Sequence, residues 1–321
     1  MDMSILIVAP KDDVHAVALR TVLESKFDAR AFIWDVSNVP TQSKFDFFPN
    51  DNRSDLRIDD SSESLALSEI RSIWWRRPGA FKIGDSVTDP KVRRFCRSEY
   101  DSFFRGVFNS IPTPIKNDPT TEARAVHKPF QLLQASTVGL ETPKTIMSNN
   151  PVSIKDFWKS LGGKCVYKAF AAPPWTFTET RPLMLEDIQH LDKVRHAPII
   201  VQERIEKGRD VRVNIFGDEV FAAQVTTHIA DADLDWRVDL TAKWEPHDLP
   251  ETISTKLRSL LKRLGLRSGC LDLRQQPDGA YKFFEVNPSG QFLFVEIDTG
   301  QPLLESLAKL LVNPECEAQG M

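Results

Sequence analysis

The chain has 321 residues, of which 41% are hydrophobic and 27% are charged. At about 150 residues per domain, this length predicts roughly two domains or three small ones, and the composition excludes a disordered, collagenous or coiled-coil chain. Lys and Arg number 41 against 45 Asp and Glu, a formal net charge of -4. We therefore do not expect the dominant basic surface that sequence-independent binding to nucleic acid requires.

The cysteines and the N-terminus indicate the compartment. Cys96, Cys165, Cys270 and Cys316 share no spacing typical of a zinc site or a disulfide framework. The apolar run at residues 4–9 is too short for the core of a signal peptide and follows no cationic leader. No segment reaches the length of a membrane span. These features predict a protein of the reducing cytoplasm.

The first third of the chain predicts a parallel α/β unit. A continuous apolar run at 5–9, helical spacing over 14–22 and a second apolar run at 31–34 form a β-α-β opening. Residues 37–64 are rich in Ser, Asn, Asp and Pro, which predicts irregular connections or an exposed hairpin. A strand at 73–75 and a helix over 92–107 follow, and the prolines at 112 and 114 close the unit near residue 115.

The rest of the chain predicts helices alternating with antiparallel strands. A helix begins at Lys128, because Pro129 suits a first turn and Gly139 suits a C-terminal cap. Strands are predicted at 165–170, 199–203, 211–216 and 220–225, with a helix over 183–191 and a turn at 217–218. A leucine stripe ending at 264 predicts a further helix, and strands at 268–274 and 281–286 flank a turn at 277–279.

Carboxylates interrupt both strands of this last hairpin. Asp272 lies in an apolar strand, and Glu285 and Asn287 lie two residues apart on the next strand, hence on one face. Buried carboxylates cost free energy unless they are paired or bind a metal. If the hairpin brings Asp272 to the same face, two carboxylates and an amide oxygen converge, and this ligand set suits Mg²⁺ with nucleotide phosphates.

The turn decides whether that cluster forms. A three-residue loop at 277–279 with uninterrupted alternation would place Asp272 on the face opposite Glu285. The alternative interpretation of the pattern is an ordinary amphipathic hairpin with a solvated acidic face.

Two lysines and a polar strand end are candidates for nucleotide binding. Lys168 interrupts an apolar strand, where its ammonium group either reaches a phosphate or extends to solvent. Lys128 at a helix start opposes the helix dipole, which favours an anionic partner there, although an exposed lysine is the alternative. Gln202 and Glu203 end a buried strand, as in a hinge that binds a base and a ribose; a plain strand end explains them as well.

Guanidinium groups occur in two further segments. Asp210 and Arg212 alternate onto one strand face, which places an acid beside a guanidinium; a surface salt bridge is the simpler interpretation. Arg76 and Arg77 follow the aromatic strand at 73–75, either as an anion site or as exposed arginines after a core strand. The six histidines have no metal-ligand or triad spacing, and none is assigned a role.

The order of these candidates along the chain resembles the nucleotide and metal framework of the ATP-grasp ligases. That order is Lys128, Lys168, Gln202-Glu203, Asp210-x-Arg212, Asp272 and Glu285-x-Asn287. Three segments resemble, more narrowly, the graspetide synthetases, the microviridin-type peptide macrocyclases; they are Trp75 to Pro78, Asp235 to Arg237, and Asn287 to Glu296. The resemblance covers nearly the whole chain.

This resemblance implies roles for individual residues. ATP would be bound by Lys128, Lys168, Gln202, Glu203, Arg237 and Asn287, and Mg²⁺ by Asp272, Glu285 and Asn287. In the transfer step Arg212 would stabilise the oxyanion and Asp210 would take the proton of the nucleophile. The chain departs from the family at residues 171–175, which lack the glycines usual in the phosphate-covering loop. The resemblance therefore does not predict how this loop covers the phosphate.

The resemblance also implies an architecture and an activity. The expected ATP-grasp fold, of class α/β and α+β, has an N-terminal parallel-sheet domain at 1–115, a central lid domain at 116–205 and a C-terminal catalytic domain at 206–321. The implied enzyme activates side-chain carboxylates of a precursor peptide as acyl phosphates, releasing ADP. A hydroxyl or amine side chain then displaces phosphate to close an ester or amide macrocycle. The implied partner is a peptide with a leader and an acidic core, and a homodimer is an open possibility.

Two other functions stay open. One is an ATP-dependent ligase that adds free amino acids to a small molecule or a protein terminus, similar to the ribosomal-protein glutamate ligases. The other is a catalytically silent module that binds a nucleotide or a peptide. The presence of Asp272, Glu285 and Asn287 argues against the silent module, because a degenerate site would tolerate their loss.

Overall fold

Fifteen strands and ten α-helices occur in the computed structural model, which describes residues 4–42, 44, 45, 47, 57–60, 63–110, 113–171, 180–206, 208–225, 239 and 241–314. The strands are β1 (Ser4–Val8), β2 (Ala31–Trp34), β3 (Arg57–Asp60), β4 (Glu63–Ala66), β5 (Ile70–Trp75), β6 (Ile115–Lys116), β7 (Thr145–Ser148), β8 (Cys165–Lys168), β9 (Arg181–Pro182), β10 (Ile199–Glu203), β11 (Arg209–Phe216), β12 (Glu219–Val225), β13 (Trp244–Pro246), β14 (Ser268–Gln275) and β15 (Tyr281–Asn287). The helices are α1 (Val14–Phe27), α2 (Val39–Gln42), α3 (Pro90–Ser110), α4 (Pro119–Ala125), α5 (Lys128–Thr137), α6 (Pro151–Ser160), α7 (Leu185–Ile188), α8 (Glu251–Leu264), α9 (Leu293–Thr299) and α10 (Leu303–Val312).

The N-terminal sheet is parallel, with strand order β2-β1-β5-β6. The apolar run predicted at residues 5–9 forms β1, whose five residues are all buried, because helices cover both faces of the sheet. On one face α3 packs through Phe104 and Phe108. On the other face lie α1 and the C-terminal helix α10, and Ser72 in β5 donates a hydrogen bond to the Leu311 carbonyl. The last of the described helices, α10, therefore covers one face of the first sheet.

A second, antiparallel sheet has the order β7-β10-β8-β9 and packs against α6. Its central strand β10 pairs with β7 on one side and with β8 on the other. The helix predicted over 183–191 is shorter than expected: α7 spans four residues and a 3₁₀ turn follows at Leu191–His196. Residues of this sheet form one wall of a cleft, and residues of the third sheet form the other wall.

The third sheet is antiparallel, with the order β13-β12-β11-β14-β15. The predicted leucine stripe forms α8, whose Leu257, Leu260, Leu261 and Leu264 are buried against one face of this sheet. Gly265 ends α8 in the left-handed conformation at φ 76°, as the sequence predicts. The other face packs partly on the core shared with α1, α9 and α10.

The parallel first sheet and the two antiparallel sheets confirm the mixed α/β and α+β class expected from the sequence. Among the described helices, none has the length and apolar composition needed to cross a membrane.

Candidate active site

A cleft of about 610 Å³ lies between the second sheet and the third sheet. Nine of the ten site residues predicted from the sequence line it: Lys128, Lys168, Gln202, Glu203, Asp210, Arg212, Asp272, Glu285 and Asn287. The tenth, Arg237, lies outside the described residues, as do residues 172–175 of the glycine-poor loop. Residues separated by up to 159 positions in the chain thus meet in one place.

A β-bulge in β15 brings the two carboxylates of the last hairpin to one face. The turn is the three-residue loop at 277–279, next to which Gln276 donates to the Ala280 carbonyl at 2.7 Å. Leu273 pairs with Phe283, but Asp272 pairs with Glu285, so Phe284 is an extra residue in β15. Without that residue Asp272 would lie opposite Phe284, and Glu285 would point to the other face. The bulge therefore builds the carboxylate pair.

Three charged side chains form a row across neighbouring strands. Arg212 in β11 lies opposite Asp272 in β14, which lies opposite Glu285 in β15. Arg212 Nη1 donates to Asp272 Oδ1 at 2.8 Å. Burial disfavours the charged guanidinium, but the attraction of Asp272 and Glu285 outweighs that effect and raises the pKa of Arg212.

Helix α5 places Lys128 at the end of this row. The ammonium group of Lys128 donates to Glu285 Oε2. The helix is held on β15 by Gln131, whose amide donates to the Val286 carbonyl at 2.7 Å and accepts from the Val286 N–H at 2.9 Å. Gln131 is buried and was not singled out from the sequence, because an amide within a helix has no distinctive local pattern.

Lys168 faces the carboxylates from the second sheet. Its half-buried side chain lies on the same face of β8 as Val166, which pairs with Gln202 in β10. Burial lowers the pKa of Lys168 and the charge of Lys128 lowers it further, whereas Glu285 and Asp272 act in the opposite direction. A desolvated ammonium group next to carboxylates and a second lysine is suited to a phosphate ligand, which would relieve its desolvation.

The predicted hinge lies at the end of β10. Gln202 is buried, and its amide donates to Thr145 Oγ1 at 2.9 Å. The backbone N–H of Glu203 donates to the Lys144 carbonyl at 2.8 Å, and its carboxylate accepts from the Lys144 N–H at 3.1 Å. These bonds tie the strand end to the start of β7 and fix its position in the cleft wall.

Asp210 and Arg212 share a strand face, as the sequence predicts, but they do not pair with each other. Asp210 accepts two hydrogen bonds from Arg274, at 2.8 Å from Nε and 2.9 Å from Nη2. Arg274 is buried and also donates to the Ile205 carbonyl. The simpler interpretation, a surface salt bridge, is wrong, because both pairs line the cleft and both guanidinium groups are buried.

The segment between β15 and α9 holds Arg212 from the other side. Arg212 Nη2 donates to the Gln291 carbonyl at 3.0 Å, and the guanidinium lies 5.7 Å from the centre of the Phe294 ring. A Cβ on Gly290 would lie 2.4 Å from Cys270 Sγ and 3.1 Å from Arg212 Nη2. Only glycine fits at position 290, because a side chain there would clash with Cys270.

Arg76 and His15 fasten this segment to the N-terminal sheet. Arg76 is 1% exposed and donates to the carbonyls of Ser289 and Gly290. The expectation of two exposed arginines after β5 is therefore wrong for Arg76, although Arg77 is exposed. His15 Nε2 accepts from the N–H of Phe292 at 3.0 Å. Neither role could be inferred from local sequence, because both partners are more than 200 residues away.

The donor set fits a divalent cation accompanied by a nucleotide. Asp272, Glu285 and Asn287 are half-buried and present oxygen atoms to one cleft, next to two lysines. Two carboxylates and an amide leave positions of an octahedral Mg²⁺ ion for phosphate oxygens and water. The positive charges of Lys128 and Arg212 compensate the carboxylates, so the arrangement is electrostatically balanced.

This chain is similar to proteins of known family and structure. A family model described as the MvdD pre-ATP grasp domain matches residues 4–124. The macrocyclase MdnC from Microcystis aeruginosa MRC, solved with the precursor peptide MdnA, is 30% identical to this chain, with a TM-score of 0.86 over 97% of this chain and 100% of that one.

Two further solved structures share the fold. A RiPP-associated ATP-grasp ligase from Chryseobacterium gregarium, in complex with ADP and a leader and core peptide, is 23% identical, with a TM-score of 0.89 over 97% of each chain. The ATP-grasp ligase PsnB, complexed with a phosphomimetic variant of a minimal precursor, Mg and ADP, is 23% identical, with a TM-score of 0.81 over 97% of this chain and 98% of that one. A comparison with curated proteins finds no significant match.

Proposed function

The chain belongs to the graspetide synthetases, the microviridin-type ATP-grasp peptide macrocyclases, and from this premise we propose that it closes rings between side chains of a precursor peptide. It is an ATP-dependent ligase. The observation that carries the proposal is the row of Arg212, Asp272 and Glu285 across three strands, flanked by Lys128 and Lys168. Side chains suited to binding phosphate, a metal ion and a carboxylate thus line one cleft, which supports the proposal.

The reaction has two steps. A side-chain carboxylate of the peptide attacks the γ-phosphate of ATP, giving an acyl phosphate and ADP. A hydroxyl or amine side chain then attacks the acyl carbon, loses its proton and displaces phosphate, which leaves an ester or an amide. Bound Mg²⁺ would neutralise charge on the phosphate oxygens.

The nucleotide would be held by residues from both walls of the cleft. Lys128 and Lys168 lie beside the carboxylates and would bind phosphate oxygens, because each carries its ammonium group into the cleft. Gln202 and Glu203 end β10 at the same wall and would contact the base and the ribose. Asp272, Glu285 and Asn287 would hold Mg²⁺, a role supported by their common face.

The transfer step would use Arg212 and Asp210, which lie on one face of β11. Arg212 is buried and charged, so it would stabilise negative charge that develops on the acyl oxygen. Asp210 lines the same cleft and would accept the proton of the attacking hydroxyl or amine. The two hydrogen bonds from Arg274 hold the Asp210 carboxylate in one orientation. When Asp210 accepts the proton, its ion pair with Arg274 would weaken.

The peptide substrate, the compartment and the assembly are parts of the same proposal. The relative MdnC was solved with its precursor peptide, which supports a peptide with a leader and an acidic core as the partner of this chain. The cysteines at 96, 165 and 270 are free thiols, which supports a site of action in the reducing cytoplasm. A homodimer is an assembly that gel filtration with light scattering can test.

Co-expression tests the activity directly. The chain is produced together with each short acidic peptide encoded beside its gene, and with MdnA as a reference, and every peptide is analysed by mass spectrometry. We expect the loss of one water molecule for each bond formed, and no loss with the Asp272→Asn variant. A gain in mass equal to added free amino acids would instead support the amino-acid ligase. Unchanged peptides, with no ATP turnover in their presence, would contradict the proposal.

A further inference from the structure

Arg77 brings a guanidinium group into the active-site cleft from the N-terminal sheet. It directly follows the buried Arg76 at the end of β5, and its own side chain is exposed and lines the cleft. Apart from Arg77, the lining residues come from the second and third sheets and the elements around them. Arg77 is therefore the contribution of the first sheet to this cleft.

The backbone of Arg77 is strained in a way that directs its side chain. Among the described non-glycine residues, positive φ angles occur at Asp28, with 48°, and at Arg77, with 44°. Asp28 is the C-terminal cap of α1, where this conformation is common, but Arg77 follows a strand. The left-handed conformation brings the Cβ of an L-residue close to the following carbonyl oxygen and is therefore strained. Strain of this kind persists where the surrounding structure and the function require it.

Strand alternation shows what the strain achieves. Trp74 packs in the core below the sheet and Trp75 packs against Phe108 of α3 on the opposite face. Arg76 returns to the face of Trp74 and reaches the carbonyls of Ser289 and Gly290. A regular strand would send Arg77 back towards α3 with Trp75. The left-handed turn brings it to the cleft instead.

Arg77 enters the cleft beside the segment that contacts Arg212. Arg77 acts electrostatically on Arg76, His15 and Glu122, and it is not among the charges that shift the pKa of Lys168. Arg76 in turn contacts Gly290, next to the Gln291 carbonyl that binds Arg212. Through Arg76 and this segment, Arg77 is joined to the end of the cleft that holds Arg212.

The two guanidinium groups at this end differ in their available donors. Arg212 is 6% exposed; its Nη1 and Nη2 atoms donate to Asp272 and to Gln291, and its Nε atom is buried. Arg77 is exposed, and it makes no hydrogen bond or ion pair with any other residue in the part of the chain that the structure describes. Its planar fork can bind both oxygens of a carboxylate at once.

We propose that Arg77 binds the substrate carboxylate that is to be phosphorylated and selects acidic side chains for activation, while the buried Arg212 acts on the acyl oxygen. This inference rests on the proposed macrocyclase function. It assigns the capture of the carboxylate to the N-terminal sheet, and it explains why an arginine with a strained backbone occupies position 77.

The test measures binding of a charged peptide and of its neutral counterpart. The probes are the purified peptide that the wild-type chain dehydrates in co-expression, and the same peptide with its core Asp and Glu residues changed to Asn and Gln. The enzymes are the wild type, Arg77→Gln, Arg77→Lys, and the control Arg94→Gln, which removes an exposed arginine of α3 outside the cleft. Calorimetry gives the affinity for each peptide and for ADP.

We expect wild type and Arg94→Gln to bind the acidic peptide about 10- to 100-fold more tightly than the neutral one, as one charge-assisted bidentate contact predicts. Arg77→Gln should abolish most of this preference and raise KM for the acidic peptide by the same factor, while its ADP affinity stays unchanged. Arg77→Lys should retain part of the preference, since it keeps the charge but not the fork.

A glycine variant separates this role from a structural one. Arg77→Gly relieves the positive φ, so its Tm should equal or exceed that of the wild type while its preference for the acidic peptide falls as in Arg77→Gln. Wild-type preference and KM in Arg77→Gln and Arg77→Gly would overturn the proposal. A wild-type chain that dehydrates no peptide would contradict the proposed macrocyclase function instead.

Discussion

His15 should make the folded protein sensitive to acid. The side chain is 4% exposed, and its Nε2 atom accepts hydrogen bonds from the N–H groups of Phe292 at 3.0 Å and Leu293 at 3.3 Å, at the start of α9. Two accepted bonds require the neutral imidazole. Burial first, and then the charge of Arg76, lower the pKa of His15 from 6.5 to about 4.

The direction and size of the effect follow from these pKa values. Because the pKa of His15 is lower in the folded protein, the unfolded chain binds the proton first as pH falls. Stability is therefore complete above pH 6.5 and decreases towards pH 4, by about 1.4 kcal/mol for each pH unit. Between pH 7.5 and pH 5 the loss from this residue amounts to about 2 kcal/mol.

Urea denaturation at several pH values measures this loss. The variant His15→Gln keeps an oxygen that can accept both N–H groups but does not titrate, so subtracting its profile removes contributions from all other groups. We expect the difference in unfolding free energy to shift by about 2 kcal/mol in favour of the variant between pH 7.5 and pH 5. His196→Gln, at an exposed position, is the matched control. Parallel profiles of wild type and His15→Gln over this range would refute the argument.

Three further predictions concern the cleft. Asp272→Asn should lower Mg²⁺-dependent turnover at least about 100-fold with an unchanged circular dichroism spectrum, and turnover that persists in EDTA would contradict the metal site. Lys168→Met should weaken ADP binding about 10- to 100-fold without lowering Tm, because the apolar stem is kept. Burial lowers the pKa of Lys168 in the free wild type, so ADP binding to the wild type in alkaline buffer should be accompanied by proton uptake. Calorimetry in alkaline buffers of different ionisation enthalpy should show that the variant lacks this proton uptake. Asp210→Asn and Asp210→Ala should both keep ADP affinity but form no dehydrated peptide, and both should cost about 3–5 kcal/mol in urea denaturation, because each leaves Arg274 buried without its acid; wild-type stability of both variants would argue against that pair.

Most secondary structure near the cleft could be predicted because its signals are local. The apolar runs of β1 and β5, the leucine stripe of α8 and the turn at Gly217 depend on side chains within a few residues of each other. The candidate ligands could be selected for a related reason. Asp272 and Lys168 each interrupt an apolar strand, and a charge in such a position is recognisable from the sequence because its burial needs a partner.

The partners of those charges could not be predicted. Asp210 pairs with Arg274 and Arg212 with Asp272, residues 60 or more positions apart, because β11 lies against β14 in an order that packing of whole sheets decides. The position of Arg76 is of the same kind: its sequence context is that of a strand end, yet the C-terminal segment covers it completely.

Taken alone, the sequence determined which residues are candidates for the chemistry and in which order they occur, because alternation and helical periodicity are properties of neighbouring residues. Only the tertiary structure decided that the carboxylates meet, since one extra residue at Phe284 corrects the face that a three-residue turn would otherwise reverse. It also decided that Arg77 turns into the cleft, through a left-handed backbone at φ 44°. A bulge and a single dihedral angle depend on the fit between distant segments, and for that reason a local pattern does not reveal them.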